Sequence, residues 1–260
     1  MIESRKSAAF NAWFAGHARS RIHKTFGRVL VRGLTRAREL AAEAPLLVVS
    51  NHTSWWDPLV ILHASTHLLG TDGHAMMDAR NLRRLPFFSL VGGFGVDLDR
   101  PADGAAVVRY SARLLDRPGR LVWIFPQGSE RPITERPLGF REGAAHVARV
   151  AKRAVALPAA MRYEFGGEEL PRLYLSFGPP LAYDRDGARA RAAQEEAVAR
   201  ELETIDAAIA GKPITGESFE LTHEKNPPWL GTVAERMLSA MTKPVALMLS
   251  PRTARPGDRP

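Results

Sequence analysis

The residues of this chain whose types and spacing most directly suggest chemistry are His52 and Asp57, a histidine and an aspartate five positions apart. A neutral imidazole can take a proton from a hydroxyl, and a carboxylate bonded to its other nitrogen fixes the tautomer and stabilises the imidazolium that forms. In a second interpretation, Asp57 only caps a helix and His52 is an ordinary polar residue at the edge of a sheet. The pair alone is compatible with both interpretations.

Two other polar clusters also follow predicted strands. They are Arg100 and the run Gln127, Gly128, Ser129, Glu130 and Arg131. Backbone N–H groups near a glycine turn, with an arginine beside them, suit a phosphate or a developing oxyanion. Taken separately, an arginine at a strand end is an ordinary surface charge and Pro-x-Gly is an ordinary turn. Taken with the histidine–aspartate pair, they predict a site with a base, a group that orients it and a cradle for an anion.

The elements that must position these clusters alternate between strands and helices. Apolar runs bounded by turn residues predict strands over 46–49, 73–77, 121–125, 155–157 and 173–177. Helical patterns predict helices over 58–69, 102–115, 143–153 and 188–210. Pro158 is expected to close the fourth strand, and residues 211–228 are expected to be a loop. The alternation predicts an α/β fold over residues 41–210, with a mixed, largely parallel sheet flanked by helices.

The N-terminal forty residues carry most of the net charge of +8, because nine Lys and Arg residues there face only two Glu. Residues 8–38 are predicted to form a basic amphipathic helix with Phe10, Trp13 and Phe14 on its apolar side. This pattern is typical of a segment on a membrane surface with anionic lipids, and residues 1–40 are predicted to be one. Two other interpretations remain open: the stripe packs on the domain, or the basic face binds nucleic acid. No nucleic-acid recognition motif accompanies the charge, so no nucleic-acid partner is expected.

The C-terminal part is predicted to contain a loop and a second amphipathic helix over 211–250, followed by a disordered tail over 251–260. No apolar run approaches the roughly 18–20 residues that cross a membrane, so we expect a cytoplasmic protein that binds the membrane peripherally. The chain has no cysteine, which excludes disulfides and thiolate metal sites. His63 and His67 have a spacing that suits a metal, but no third ligand accompanies them, and no metal site is predicted.

Four segments, in order along the chain, resemble the motifs of the glycerolipid acyltransferases of the lysophosphatidate acyltransferase type. Asn51–Asp57 (NHTSWWD) matches the H-x4-D motif of that family in full. Gly95–Arg100 resembles the second motif, a glycine followed by apolar residues and Asp-Arg. Phe125–Arg131 (FPQGSER) resembles the third, F-P-E-G-T-R, and Val155–Pro158 resembles the fourth, an apolar run ending at a proline. Their shared order makes the resemblance far more specific than H-x4-D alone.

The resemblance implies an O-acyltransferase that moves a fatty acyl group from an acyl-CoA or acyl-carrier-protein thioester to a hydroxyl of a membrane lipid. It implies no metal or redox cofactor. His52 would be the general base and Asp57 would orient it. The residues implied to bind the substrate, in the family through the phosphate of the acceptor, are Arg100, Gln127, Gly128, Ser129, Glu130 and Arg131. The implied acceptor is a lysophospholipid such as lysophosphatidate, which belongs to phospholipid biosynthesis.

The third segment departs from the family pattern at three positions. Gln127 replaces a glutamate, Ser129 replaces a threonine, and Glu130 is inserted before Arg131. These departures keep open a glycolipid, a glycosylated isoprenoid or another hydroxylated lipid as the acceptor. Two other classes of protein also remain. A Ser-His-Asp hydrolase would need a G-x-S-x-G elbow, which the chain lacks. A peripheral lipid-binding module without catalysis would not need the intact histidine–aspartate pair.

Overall fold

The computed structural model of the protein describes residues 1–97, 100–225 and 237. Within this part of the chain, the strands are β1 Arg28–Arg32, β2 Leu46–Ser50, β3 Asp72–Asp78, β4 Gly93–Val96, β5 Arg120–Ile124, β6 Val155–Glu164, β7 Arg172–Phe177 and β8 Glu220–Glu224. The helices are α1 Ala8–Thr25, α2 Leu34–Glu43, α3 Asp57–His63, α4 Ala79–Arg84, α5 Pro101–Leu114, α6 Gly143–Val150 and α7 Gly187–Ile209. A π-helical turn, Ala64–Leu68, extends α3, and a 3-10 helix, Pro86–Val91, precedes β4.

The eight described strands form one sheet in the order β4-β3-β5-β2-β6-β7-β1-β8. Neighbouring strands are parallel, except that β6 with β7 and β1 with β8 are antiparallel. The predicted α/β fold with a mixed, largely parallel sheet flanked by helices is therefore confirmed. Because β4, β3, β5 and β2 run in the same direction, their carboxyl ends share one edge, and the loops that follow them open on the same side.

The strand that ends at the H-x4-D segment, β2, lies inside the sheet, and all of its residues are buried. Helices cover both faces of a parallel sheet, so both faces of β2 are buried and its sequence is a nearly continuous apolar run. Leu46 and Val48 belong to one apolar core, whereas Leu47 and Val49 belong to the core on the other face. This alternation follows from the period of two along a strand. The loop after β2 therefore starts from a position fixed on both sides.

The single helix predicted over residues 8–38 is wrong. The structure has a helix at each end of this segment, α1 and α2, and a strand between them. Residues 28–32 form β1, which pairs with β7 on one side and with β8 on the other. Val29 and Val31 are buried and alternate with half-buried neighbours, which is the period of a strand. The positions of Val29 and Val31 would also fit the apolar stripe of a helix. The pairing of β1 with two neighbouring strands makes this segment a strand.

Two smaller predictions are also wrong. β6 does not end at Pro158 but continues to Glu164. Pro158 lies opposite Val49 of β2, and the pairing of β6 with β7 begins only at Ala159. The proline therefore lies where the ladder between β6 and β7 ends, and a missing N–H is tolerated there. Residues 220–224, predicted to be a loop, form the edge strand β8.

The helix α1 turns small residues towards the protein and an aromatic residue outwards. Ala15 and Ala18 are fully buried and cluster with Leu59 and Leu62 of α3. Trp13 leaves 64% of its surface exposed. α1 thus packs on the helix whose first residue is the predicted aspartate.

Apart from residue 237, the second amphipathic helix, predicted between residues 229 and 249, and the predicted tail over 251–260 lie outside the described residues. Among the described residues, no helix is both long and apolar enough to cross a membrane.

Candidate active site

The loop between β2 and α3 brings the predicted pair into contact. His52 Nδ1 lies 2.6 Å from Asp57 Oδ2. The same carboxylate oxygen accepts the backbone N–H groups of Thr53 at 2.9 Å and Ser54 at 3.1 Å, so the loop folds around Asp57. Asp57 is fully buried at the start of α3, where Pro58 suits the first turn of the helix. The carboxylate is thus held towards the imidazole.

The second oxygen of the carboxylate, Asp57 Oδ1, accepts a hydrogen bond from the hydroxyl of Tyr163 at 2.5 Å. Tyr163 lies on β6, the neighbour of β2 in the sheet. Burial of the phenol and, after it, the Asp57 carboxylate raise the pKa of Tyr163 well above its usual value, so the hydroxyl keeps the proton that it donates. Both oxygens of Asp57 are therefore engaged. Tyr163 is not among the site residues predicted from the sequence.

Asn51 anchors the start of the same loop to β6. Its side-chain oxygen accepts the N–H of Met161 at 2.9 Å, and its side-chain amide donates to the Met161 carbonyl at 2.9 Å. Asn51 is fully buried, and these two bonds extend the pairing of β2 with β6 beyond the last residue of β2. They fix the direction in which the chain leaves the sheet and enters His52.

The segment after β5 holds His52 from the other side. Gln127 Oε1 accepts the His52 N–H at 2.6 Å, and the His52 carbonyl accepts the Arg131 N–H at 2.9 Å. The Phe125 ring stacks on the imidazole with a centroid separation of 4.6 Å. Gln127 is only 1% exposed, so its side chain supports the backbone of His52 inside the protein.

The imidazole of His52 is not fully enclosed by the protein. One fifth of the His52 side chain is exposed. In the part of the chain that the structure describes, its Nε2 has no hydrogen-bond partner. A histidine that a buried carboxylate orients through Nδ1, and whose Nε2 is open, is arranged to take a proton from a hydroxyl.

The loop of residues 127–131 forms a tight turn whose arginine already has a partner. Gly128 has a φ of +76°, a left-handed conformation that favours glycine. Ser129 and Glu130 are exposed. Arg131 Nη1 donates to Glu135 Oε1 at 2.6 Å, so the side chain that the family resemblance assigns to phosphate contacts a carboxylate of the protein.

Arg100 shares the edge of the sheet with His52 but lies apart from it. It caps the start of α5, its side chain is 76% exposed, and its Nε lies 3.5 Å from Asp97 Oδ2. It follows the edge strand β4, and β3 and β5 lie between β4 and β2. Adjacent strands are about 4.8 Å apart, so roughly 14 Å separate the ends of β4 and β2.

Among the described residues, no group of three or more His, Cys, Asp or Glu is placed to hold a metal ion. The His63 ring is buried, 5.4 Å from the His67 ring and 5.7 Å from the His23 ring. Burial first, and then the neighbouring His67 and His23, lower the pKa of His63 to about 3. This histidine is therefore neutral near physiological pH.

A family model described as Acyltransferase matches residues 28–162, which is more than half of the chain. The matched region begins with β1 and ends one residue before Tyr163. It includes the loop of His52 and Asp57 and the segment 125–131. No curated protein matches the chain.

Proposed function

Because this chain belongs to the acyltransferase family, the family of the glycerolipid and lysophosphatidate acyltransferases, we propose that it moves a fatty acyl group from an acyl-CoA or acyl-carrier-protein thioester to a hydroxyl of a membrane lipid. The acceptor in this proposal is a lysophospholipid such as lysophosphatidate, so the product is a phospholipid. The observation that carries the proposal is the 2.6 Å contact between His52 Nδ1 and the fully buried Asp57, in a histidine whose side chain is partly exposed.

In the proposed reaction, His52 Nε2 takes the proton of the acceptor hydroxyl as the hydroxyl oxygen attacks the thioester carbonyl. Asp57 holds the imidazole through Nδ1 and stabilises the imidazolium. The tetrahedral intermediate then collapses as its C–S bond breaks, and the proton on His52 passes to the departing thiolate. The products are an ester and a free thiol. This scheme needs no metal or redox cofactor.

An acceptor of this kind lies in a membrane, and α1 has features suited to reach it. Trp13 is 64% exposed, and the Phe10 and Phe14 rings lie 5.4 and 6.1 Å from its ring. Exposed aromatic side chains on a basic helix suit the interface of an anionic membrane. We propose that α1 docks on the cytoplasmic face of such a membrane. Since α1 packs on α3, docking there would keep the loop of His52 close to the lipid surface.

One observation favours a second class of acceptor. Arg131, to which the family resemblance assigns the phosphate, already pairs with Glu135 at 2.6 Å. A lipid without a phosphate, such as a glycolipid or a glycosylated isoprenoid, would leave this ion pair intact. This alternative keeps the same reaction and the same base, and changes only the molecule that carries the hydroxyl.

The experiment that tests the reaction is the release of free CoA from a long-chain acyl-CoA in the presence of lysophosphatidate, other lysophospholipids and a glycolipid. His52→Ala should lower the rate by roughly 10²- to 10⁴-fold, the contribution of a general base, without lowering the thermal unfolding temperature. His146→Ala, which removes a partly exposed histidine of α6, is the matched control and should retain activity. An inactive wild type on every acceptor, or an active His52→Ala enzyme, would disprove the mechanism.

A further inference from the structure

Arg141 is a cation beside the candidate site, and it is not among the site residues predicted from the sequence. Its backbone N–H donates to the Pro126 carbonyl at 2.9 Å, which ties it to the turn after β5. Its guanidinium lies over Gly128. A methyl group at Gly128 would lie 3.1 Å from Arg141 Cζ and 3.3 Å from its Nε and Nη1. The Arg141 guanidinium is thus packed closely against Gly128.

This position connects Arg141 to the backbone of His52. Gly128 directly follows Gln127, whose side chain accepts the His52 N–H. Three residues after Gly128, Arg131 donates its own N–H to the His52 carbonyl. Arg141 therefore packs on the short loop that holds both backbone groups of His52. A group bound by Arg141 would lie beside that loop.

The two arginines that the resemblance assigns to the substrate each have a carboxylate partner within the protein, and Arg141 lacks one among the described residues. Arg131 pairs with Glu135 at 2.6 Å, and Arg100 lies 3.5 Å from Asp97. Within residues 1–97 and 100–225, Arg141 has no carboxylate partner, and its side chain is exposed. An unpaired guanidinium presents a planar set of donors that matches the oxygens of a phosphate.

We propose that Arg141 binds the phosphate of the acceptor lipid, an inference that rests on the acyl transfer proposed above. In lysophosphatidate, the carbon that carries the phosphate is bonded to the carbon that carries the free hydroxyl. A phosphate held beside the loop 127–131 therefore keeps the hydroxyl near His52. In this arrangement Glu135 holds Arg131 in the loop, and Arg141 takes the role that the resemblance assigns to Arg131.

The proposal also gives a reason for the glycine at residue 128. Its φ of +76° disfavours other residues, and a side chain there would press against the guanidinium of Arg141. A glycine there lets the loop turn and leaves the arginine over the backbone of the turn.

The test compares two acceptors with the same acyl chain: lysophosphatidate, and monoacylglycerol, which has no phosphate. Arg141→Gln should raise the KM for lysophosphatidate roughly 10- to 100-fold, the worth of a charge-assisted hydrogen bond, while kcat and the KM for monoacylglycerol stay within about twofold. Arg141→Lys should recover part of the lost affinity. Arg149→Gln, which removes an exposed arginine of α6, is the control and should have no effect.

Three kinetic outcomes would overturn the proposal. Equal losses with both acceptors would assign Arg141 a structural role. A raised KM for acyl-CoA alone would mean that Arg141 binds a phosphate of the donor and not of the acceptor. If the wild type acylates glycolipids but not lysophosphatidate, its acceptor has no phosphate of the proposed kind for Arg141 to bind.

A binding measurement separates this proposal from the acyl transfer itself. Calorimetric titration with glycerol 3-phosphate should give binding to the wild type that Arg141→Gln loses, and this result would support the site even in a protein without acyltransferase activity. Absent binding, or equal binding by both proteins, would overturn it.

Discussion

The hydrogen bond from Tyr163 to Asp57 predicts a variant that impairs catalysis without changing the exposed surface of the site. Tyr163→Phe removes one hydroxyl and keeps the ring, whose centroid lies 5.6 Å from that of Phe26. The removed hydroxyl is the only partner described for Asp57 Oδ1, and Asp57 has no exposed surface. The variant therefore leaves a buried carboxylate oxygen without a hydrogen bond, and the carboxylate that orients His52 loses its support on that side.

The magnitude follows from the charge on the acceptor. A hydrogen bond to a charged group contributes about 1.5–3 kcal/mol, so we expect the free energy of unfolding to fall by about that amount. If about half of this free energy is also lost from the stabilisation of the transition state, kcat should drop roughly 3- to 10-fold. KM should change little, because the removed hydroxyl faces the buried aspartate.

Two assays measure these quantities: urea unfolding gives the change in stability, and CoA release gives kcat and KM. Tyr110→Phe is the matched control. Tyr110 lies on α5 and is buried, and its hydroxyl oxygen accepts the Ser4 N–H at 3.0 Å. The control should lose stability but keep kcat. Wild-type kcat and stability in Tyr163→Phe would refute the reasoning, and so would an equal fall in kcat in both variants.

The remaining predictions concern the membrane and pH. Trp13→Ser removes a side chain that is 64% exposed and should weaken sedimentation with anionic vesicles about tenfold; undiminished binding would contradict docking through α1. His63, with its pKa lowered to about 3, is neutral in the folded protein, whereas the unfolded chain takes up a proton there below its usual pKa of 6.5. Between pH 6.5 and about 4.5, the free energy of unfolding should therefore fall by up to about 3 kcal/mol on account of this group. His63→Phe should flatten that part of the urea-midpoint profile, and an unchanged slope would count against this account.

The sequence predicts the centre of the sheet better than its margins, for a physical reason. Buried on both faces, β2 and β5 consist of short apolar runs, so the types of their residues suffice to identify them. β1 is different, because Arg28–Arg32 (RVLVR) places three apolar residues between two arginines, and its apolar positions also continue the stripe of α1. Its pairing with Arg172–Phe177, far along the chain, decides its conformation. A local pattern contains no information about that partner.

The same limit applies to the candidate site. His52 and Asp57 could be recognised because they lie only five positions apart in the chain, but the hydroxyl of Tyr163 comes from another strand. A signal for it existed: Ala159, Met161 and Tyr163 follow the period of two that places residues on one face of β6. The expectation that Pro158 ends the strand concealed this series. Recognising that β7 pairs only after the proline would have extended β6 to the residue that supports the aspartate.

Gln127 shows how a departure from the family pattern can keep the geometry of the site. Replacing glutamate by glutamine removes a charge but keeps an oxygen, and here that oxygen accepts the His52 N–H at 2.6 Å. The position is buried, where an ionised carboxylate would have to lose its hydration, a cost that the neutral amide largely avoids. The side chain of Gln127 therefore holds the backbone N–H of His52, the proposed base. Because the Gln127 side chain is neutral and binds the His52 backbone, the choice of lipid should depend instead on Arg131 with Glu135, and on Arg141.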